Sequence, residues 1–566
     1  MKLKLLLVLV GMGTMLACGS GGGGESPGVE PTLSAIAVAP VTPILELGST
    51  QQFTATGTYS DNRTQDLTSS VTWSTSSPVT ATIDHAGLAA ALAAGTATIA
   101  AELNGVAGRA TLTVRDRILE SPFGFNPPRV AHPGYSNNGY NDAQAIGVTW
   151  ARMSTYLFWF LVQPDLSSTA LDFSTYDRNF AAVPSGMRIL ANIAPQGNID
   201  EGYGRAGSYL PVDEGKFLAF VKAAVGRYSG AASAAAGLAS PIKYWQVGNE
   251  PNNSKSGFAE LQKITYIAIK EVCPDCTVVI GGVPGMPPAS HYLATFDQQF
   301  KPFLDTLAGQ YVDVLDFHWY GNATGDYLGA KPVYDHLRAV LDADGFTQTP
   351  IWITEMGSYS GDPLPNPPVM PYDYPLQSEQ QQALDYLKRY VYSLALGVKK
   401  IFPAFGMMEG FKYDGGYFDF TGIIYDGWDP AGTTPSDLGL GVKKLGYYTY
   451  RKMTEILEGS DWNNIETIQA ADNVYIFKFT RNNAPIYVAW WDYFAEPAFA
   501  PGKTKTVVLP GVVGDAVLVT EAVPKFATGK EVGDYATAFT SQTVATVNGT
   551  VSLTLHENPV YVEKVQ

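Results

Sequence analysis

Between about residues 119 and 459 the chain repeats one unit: a short apolar run, a loop and, in several units, an amphipathic helical stretch. The apolar runs stand at 123–126, 149–153, 188–192, 243–247, 277–281, 312–317, 351–354 and 400–404. Strands buried on both faces read this way, because neither face can carry the polar half of an alternating pattern. Stretches such as KFLAFVKAAVGRY (216–228) and EQQQALDYLKRYVYSLAL (379–396) lie between the runs, with apolar residues at three-and-four spacing. Strands joined by helical crossovers run parallel. Eight such units predict a (β/α)8 TIM barrel.

The flanks follow a different period. Over residues 32–115, Ala97 and Ile99 alternate with Thr96 and Thr98, Asn104-Gly105 supplies a hairpin turn, and Leu112 and Val114 alternate with Thr111 and Thr113. That pattern predicts an Ig-like β-sandwich. Residues 460–566 return to alternating runs such as NVYIFKFTR and APIYVAWWD, with a second Asn-Gly turn at 548–549, and predict a C-terminal β-sandwich. A multidomain chain is what 566 residues lead one to expect.

Residues 1–18 have the anatomy of a secretory signal: Met1-Lys-Leu-Lys4 is basic, and the apolar run that follows is too short to span a bilayer. The Gly/Ser/Pro-rich segment 19–31 reads as a flexible linker. Ala17-Cys18 at the cleavage point resembles a bacterial lipoprotein lipobox. That resemblance implies lipidation of Cys18 and anchoring to the outer membrane or cell surface; plain secretion is the other outcome. In an exported protein, Cys273 and Cys276 are expected to form a local disulfide, since two thiols cannot complete a zinc shell. Thirty-seven basic residues against 53 acidic ones leave a net charge of −16, which argues against nucleic acid as a partner. The remaining histidines have no ligand spacing, so neither a metal nor another cofactor is expected.

In a parallel barrel, the strand C-termini form the active face. The fourth strand ends in QVGNEP, placing Asn249 and Glu250 there; the seventh ends in ITEMG, placing Glu355; the sixth ends in DFHWY, adding His318, Trp319 and Tyr320. Two carboxylates at one mouth suit a reaction in which one delivers a proton and the other meets a cationic carbon. Trp245 and Trp319 are expected to form an apolar wall that raises the pKa of Glu250, with Tyr320 and Arg152 keeping Glu355 ionised. Arg152 can equally be an ion-pair anchor inside the barrel. Glu409, after the eighth strand, reads either as a third carboxylate at the site or as a surface group.

Asn-Glu-Pro on strand four with a glutamate ending strand seven resembles the clan A glycoside hydrolases, with family 39 and family 5 the nearest patterns. The resemblance implies a retaining glycosidase acting on β-linked oligo- or polysaccharides, with Glu250 as acid/base and Glu355 as nucleophile. It further implies that Asn249 binds the sugar 2-hydroxyl, and that Tyr320 and Arg152 orient the nucleophile. One departure stands out: where clan members commonly carry a tryptophan after strand eight, this chain has Phe405, Met407 and Met408. Long loops bring Tyr203, Tyr359, Tyr413, Tyr417, Phe418 and Trp428 to the same face, some to stack on sugars and others to pack the loops. Residues 32–115 resemble the bacterial immunoglobulin-like group 2 domain, a spacer or adhesive unit. Two other functions use the same parts: a glycan-binding adhesin without catalysis, and a transglycosylase.

Overall fold

The computed structural model describes residues 31–47, 50–115, 120–153, 156–195, 202–230, 232–285, 287–364, 374–428, 439–492, 503–512 and 514–565. Cys18, the signal segment and nearly all of the linker lie outside them. The chain divides into two compact units, Met1–Asp116 and Arg117–Gln566.

The first unit is all β. Its longest hairpin pairs Gly95–Leu103 with Val106–Arg115, joined by Asn104 and Gly105, both at positive φ as the turn requires. Alternation sends Ala97, Ile99 and Ala101 inward, where they meet Leu112, Ile36, Val38 and Phe53 from neighbouring strands in one apolar core. A three-stranded sheet and a second small sheet complete the layers around that core.

The second unit opens with eight parallel strands that form the barrel, and a short extra strand, Leu157–Phe158, pairs in parallel with the end of the third. The eight are β1 (Gly124–Phe125), β2 (Trp150–Arg152), β3 (Arg188–Ala194), β4 (Tyr244–Val247), β5 (Thr277–Ile280), β6 (Leu315–Trp319), β7 (Ile351–Met356) and β8 (Ile401–Pro403). Ladders join β1 through β5 and β6 through β8. Parallel bridges Val279↔Val314 and Phe123↔Ile401 close the two arcs into a barrel. Trp150, Leu190, Val279, Val314, Trp352 and Phe402 fill the interior below the strand ends. Polar side chains above that plug are therefore held on a packed floor.

Helices cover the outside. Glu214–Tyr228 starts at Asp213, whose side chain accepts from the Lys216 amide, and buries Phe217, Phe220, Val221 and Ala224. Glu379–Leu396 begins with a Ser378/Gln381 capping box and ends at Gly397 in the left-handed region. Among the described residues, no helix is long and apolar enough to cross a membrane.

The C-terminal part holds a six-stranded antiparallel sheet and a two-stranded ladder, Lys505–Pro510 with Thr550–Leu555. Period two divides the larger sheet: Ile476, Tyr487 and Ala489 face the ladder, while Phe477, Phe479, Val488 and Trp490 join the barrel core. Trp490 Nε1 donates to Tyr327 Oη, which donates to Asp492 at 2.8 Å.

Candidate active site

Each site residue follows from where its strand points it. Along β6 the side chains of Asp316 and His318 face the barrel interior, and Phe317 and Trp319 face the helices; Tyr320, next in line, turns inward again. Strand β7 breaks this rule. Its pairing with β6 steps from Phe317↔Ile353 to His318↔Glu355, passing over Thr354. That bulge turns Thr354 and Glu355 inward together, Thr354 onto Asp316 and Glu355 into the mouth. On β4, Gln246 points inward, and the chain then turns through Gly248 and Glu250, both at positive φ, to lift the Glu250 carboxylate over the mouth.

The inward groups form one connected network. Arg152, fully buried, donates from Nη1 to Glu355 Oε1 at 2.6 Å, from Nη2 to Asn249 Oδ1 at 2.6 Å and from Nε to Gln246 Oε1 at 2.9 Å. Tyr320 Oη donates to Glu355 Oε2 at 2.5 Å. His318 Nδ1 lies 2.7 Å from Glu250 Oε1 and 3.3 Å from Glu355 Oε2. On its other side, Nε2 is 3.4 Å from Asp316 Oδ2. Oxygens of Glu250 and Glu355 lie within 4.8 Å of each other and of the His318 ring nitrogen.

The electrostatics fix the charge of Glu355 and of the histidine beside it. Burial alone would raise Glu355, but His318, Arg152 and the Tyr320 hydroxyl together hold it below the usual carboxylate range, so it is ionised. Burial works against a charged His318 as well, yet Glu355 and Asp316 carry it up to about 10, which makes it an imidazolium at neutral pH. The Glu250 side chain is more open, with 35% of its surface exposed.

A cleft of about 930 Å³ borders both carboxylates, and a smaller cavity of about 240 Å³ adjoins it. Phe158, Phe160, Phe405, Phe411 and Phe418 line the cleft. Phe405 stands where the sequence lacks a tryptophan; its ring stacks on Phe411 at 4.3 Å and on Tyr320 at 6.4 Å. Glu409 lies in the same wall, ion-paired with the fully buried Lys444, and burial pushes it up to about 7 in spite of that cation. Two buried polar atoms of the wall, Asn126 Nδ2 and His132 Nδ1, have no hydrogen-bond partner among the described residues.

Some expectations need correction. Trp245 and Trp319 form no wall at the site. Their strand positions turn them outward, where Trp245 Nε1 donates to Ser229 Oγ and Trp319 packs against Tyr292. The apolar surface near Glu250 comes instead from Tyr156 and Phe158. Tyr359 and Tyr417 are buried packing residues, and Tyr203 lies edge-on against Trp159; of the loop aromatics, Tyr413 and Phe418 reach the cleft. Asn126, His132, Tyr156, Phe158 and Phe160 were not singled out for the site by sequence. Phe158 and Phe160 sit in the aromatic run YLFWF, the one signal that pointed there. Cys273 and Cys276 are bonded as a disulfide after the helix Phe258–Val272, away from the mouth.

The fold is similar to that of the clan A glycoside hydrolase barrels. Among solved structures the chain resembles a family 39 glycoside hydrolase from the gut symbiont Bacteroides cellulosilyticus WH2, at 15% identity, covering 94% of this chain and 100% of that one, with a TM-score of 0.54. A glucosidase from Croceicoccus marinus is similar at 15% identity over 79% of this chain and 97% of its own, with a TM-score of 0.50. Residues 33–114 match the Bacterial Ig-like domain (group 2) family. A stretch of 92 residues is 45% identical to Ice-binding protein 1 of Shewanella frigidimarina, 16% of this chain and 10% of that relative's length. The chain thus spans about a tenth of that relative.

Proposed function

We propose that the barrel is a retaining glycoside hydrolase that cleaves β-glycosidic bonds in oligo- or polysaccharides by double displacement. The observation that carries this reading is the approach of a carboxylate oxygen of Glu250 to within 4.8 Å of one of Glu355. Carboxylates about 5–5.5 Å apart leave no room for a water between them and the sugar, so one of them bonds to carbon; an inverting pair stands wider apart.

In the first step Glu250 gives its proton to the glycosidic oxygen as the C–O bond breaks, and Glu355 forms an ester bond to the anomeric carbon. In the second, Glu250 takes a proton from water as that water displaces Glu355, returning both groups to their starting states. Arg152 and Tyr320 keep Glu355 ionised and aimed, and Asn249, held by Arg152, is placed for the sugar 2-hydroxyl. Phe405 offers a flat face to the ring at the cleavage point, and Glu409, Asn126 and His132 offer hydrogen bonds to its hydroxyls. The C-terminal sheets act as a β-sandwich buttress.

Export and a lipid tether at Cys18 belong to the same reading, supported by the apolar N-terminal run and Ala17-Cys18. A mechanism-based inhibitor that traps the nucleophile tests the chemistry: Glu355 becomes labelled in the native protein and not in Glu355→Gln. Failure to label across gluco, xylo, galacto and manno configurations overturns it in favour of a glycan-binding protein. Mass analysis of the mature N-terminus tests the tether.

A further inference from the structure

Glu250 stands on the border between two unequal cavities. The larger touches Glu250 and Glu355 together; the walls of the smaller include Glu250 and Asn249 but not Glu355. Tyr156 and Phe158 line both.

We propose that the smaller cavity is the leaving-group subsite and takes a single sugar unit, so that the enzyme removes one unit at a time from the reducing end of a chain held in the larger cleft. This rests on the retaining glycosidase reading above. In a displacement at carbon the nucleophile arrives opposite the departing oxygen. The ring that reacts must therefore lie over Glu355, which only the larger cleft allows. Its departing oxygen must lie at Glu250, and whatever that oxygen carries continues past Glu250 and away from Glu355. The smaller cavity occupies that place.

The walls of the smaller cavity suit one sugar ring. Phe258 and Leu261, buried residues at the start of the helix Phe258–Val272, back it, and Ala194 and Pro195 at the end of β3 form a side. Tyr209 presents a ring whose hydroxyl accepts from the Asn252 amide at 2.9 Å. Ser254 and Lys255 border the same space, with Lys255 Nζ 5.9 Å from the Tyr209 ring centre. Apolar faces with a few hydroxyl and ammonium groups match the two kinds of surface on a pyranose. At about 240 Å³ against 930 Å³, the leaving-group side is the short one.

The test uses the full-length protein and the sugar series whose β-glycosyl fluoride it turns over fastest. A β-linked pentasaccharide of that series, labelled with 18O at the reducing end, is hydrolysed and its first products are weighed. A labelled monosaccharide is the expected product; a labelled disaccharide or longer piece, or an unlabelled monosaccharide from the other end, overturns the assignment. Ser254→Trp, at an exposed position, fills the cavity without disturbing the core. It should lower kcat/KM on the pentasaccharide by about tenfold or more relative to its effect on the fluoride, whose leaving group is one atom. Equal loss on both substrates overturns the proposal. Turnover of the fluoride with the wrong oligosaccharide products removes the subsite alone. No turnover of any fluoride, together with no trapping at Glu355, removes the glycosidase reading and the subsite with it.

Discussion

Arg152 on β2 donates to Glu355 on β7 across the barrel mouth at 2.6 Å, both side chains almost wholly out of solvent. The same guanidinium holds Asn249, next to Glu250, so one cation ties together Glu355 and the strand end that carries Glu250. Replacing it tests whether this planar fork matters beyond its charge. Arg152→Lys keeps the charge but loses the divergent donors. The expected outcome is a fall in kcat of about 10²-fold or more with a smaller change in KM, measured on an aryl glycoside, as befits loss of aim at a reacting group. Arg152→Met leaves Glu355 and Asp316 without this partner and should destabilise the fold by about 3–5 kcal/mol in denaturant melts.

Glu250→Ala separates proton delivery from attack. Substrates with poor leaving groups should lose about 10²–10⁴-fold in kcat/KM, whereas a dinitrophenyl glycoside, which departs unaided, should be largely spared in the first step. Added azide should then restore turnover and give the β-glycosyl azide. An α-azide product would mean inversion and would contradict the proposed mechanism.

His318 predicts a pH dependence of stability. Its folded pKa of about 10 lies above the ordinary imidazole value of 6.5, so the folded state binds the proton more tightly. The stabilisation is complete below about pH 6.5 and is lost as pH rises towards 10. His318→Asn should therefore narrow its Tm deficit relative to the native protein steadily between pH 7 and 10. A constant deficit over that range would show that His318 is not charged in the fold.

The Glu409–Lys444 pair in the cleft wall is buried, so removing one member should cost more than removing both. Lys444→Met is expected to lower stability by about 3–5 kcal/mol, and the double change Lys444→Met/Glu409→Leu to recover most of it, read by chemical denaturation. If Glu409 also binds substrate, Glu409→Gln should raise KM more than it lowers kcat.

Much of the architecture was legible because it is written in local periods. The helix Glu379–Leu396 carries its own start at Ser378 and Gln381, its stop at Gly397 and its apolar stripe between them, and the sequence-based limits coincide with the observed ones. The same holds for the Asn104-Gly105 hairpin. Glu250 and Glu355 were legible as strand-end carboxylates, since strand ends in a parallel barrel converge on one mouth.

Orientation was another matter. Assigning Trp319 to the site required knowing which parity of β6 faces inward, and the sequence around it, with Asp316, His318 and Tyr320 on one parity and Phe317 and Trp319 on the other, contained that answer in the polar residues. The β7 bulge left no such trace: strict alternation from Thr354 would turn Glu355 outward, and only pairing with β6 shows it turned in. Phe158 reaches the cleft from the short strand Leu157–Phe158, Phe160 from the short helix Trp159–Val162 and Phe405 from the turn after β8, and their directions depend on the rest of the barrel.

By itself, then, the sequence determined the N-terminal Ig-like unit, the barrel, and the pair of strand-end carboxylates, all properties of spacing along the chain. Tertiary structure alone decided that Arg152 also holds Gln246 and Asn249, that His318 bridges two carboxylates, and that Glu250 stands between cavities of different size. Such contacts arise from closure of the barrel, which brings together groups that no local period relates.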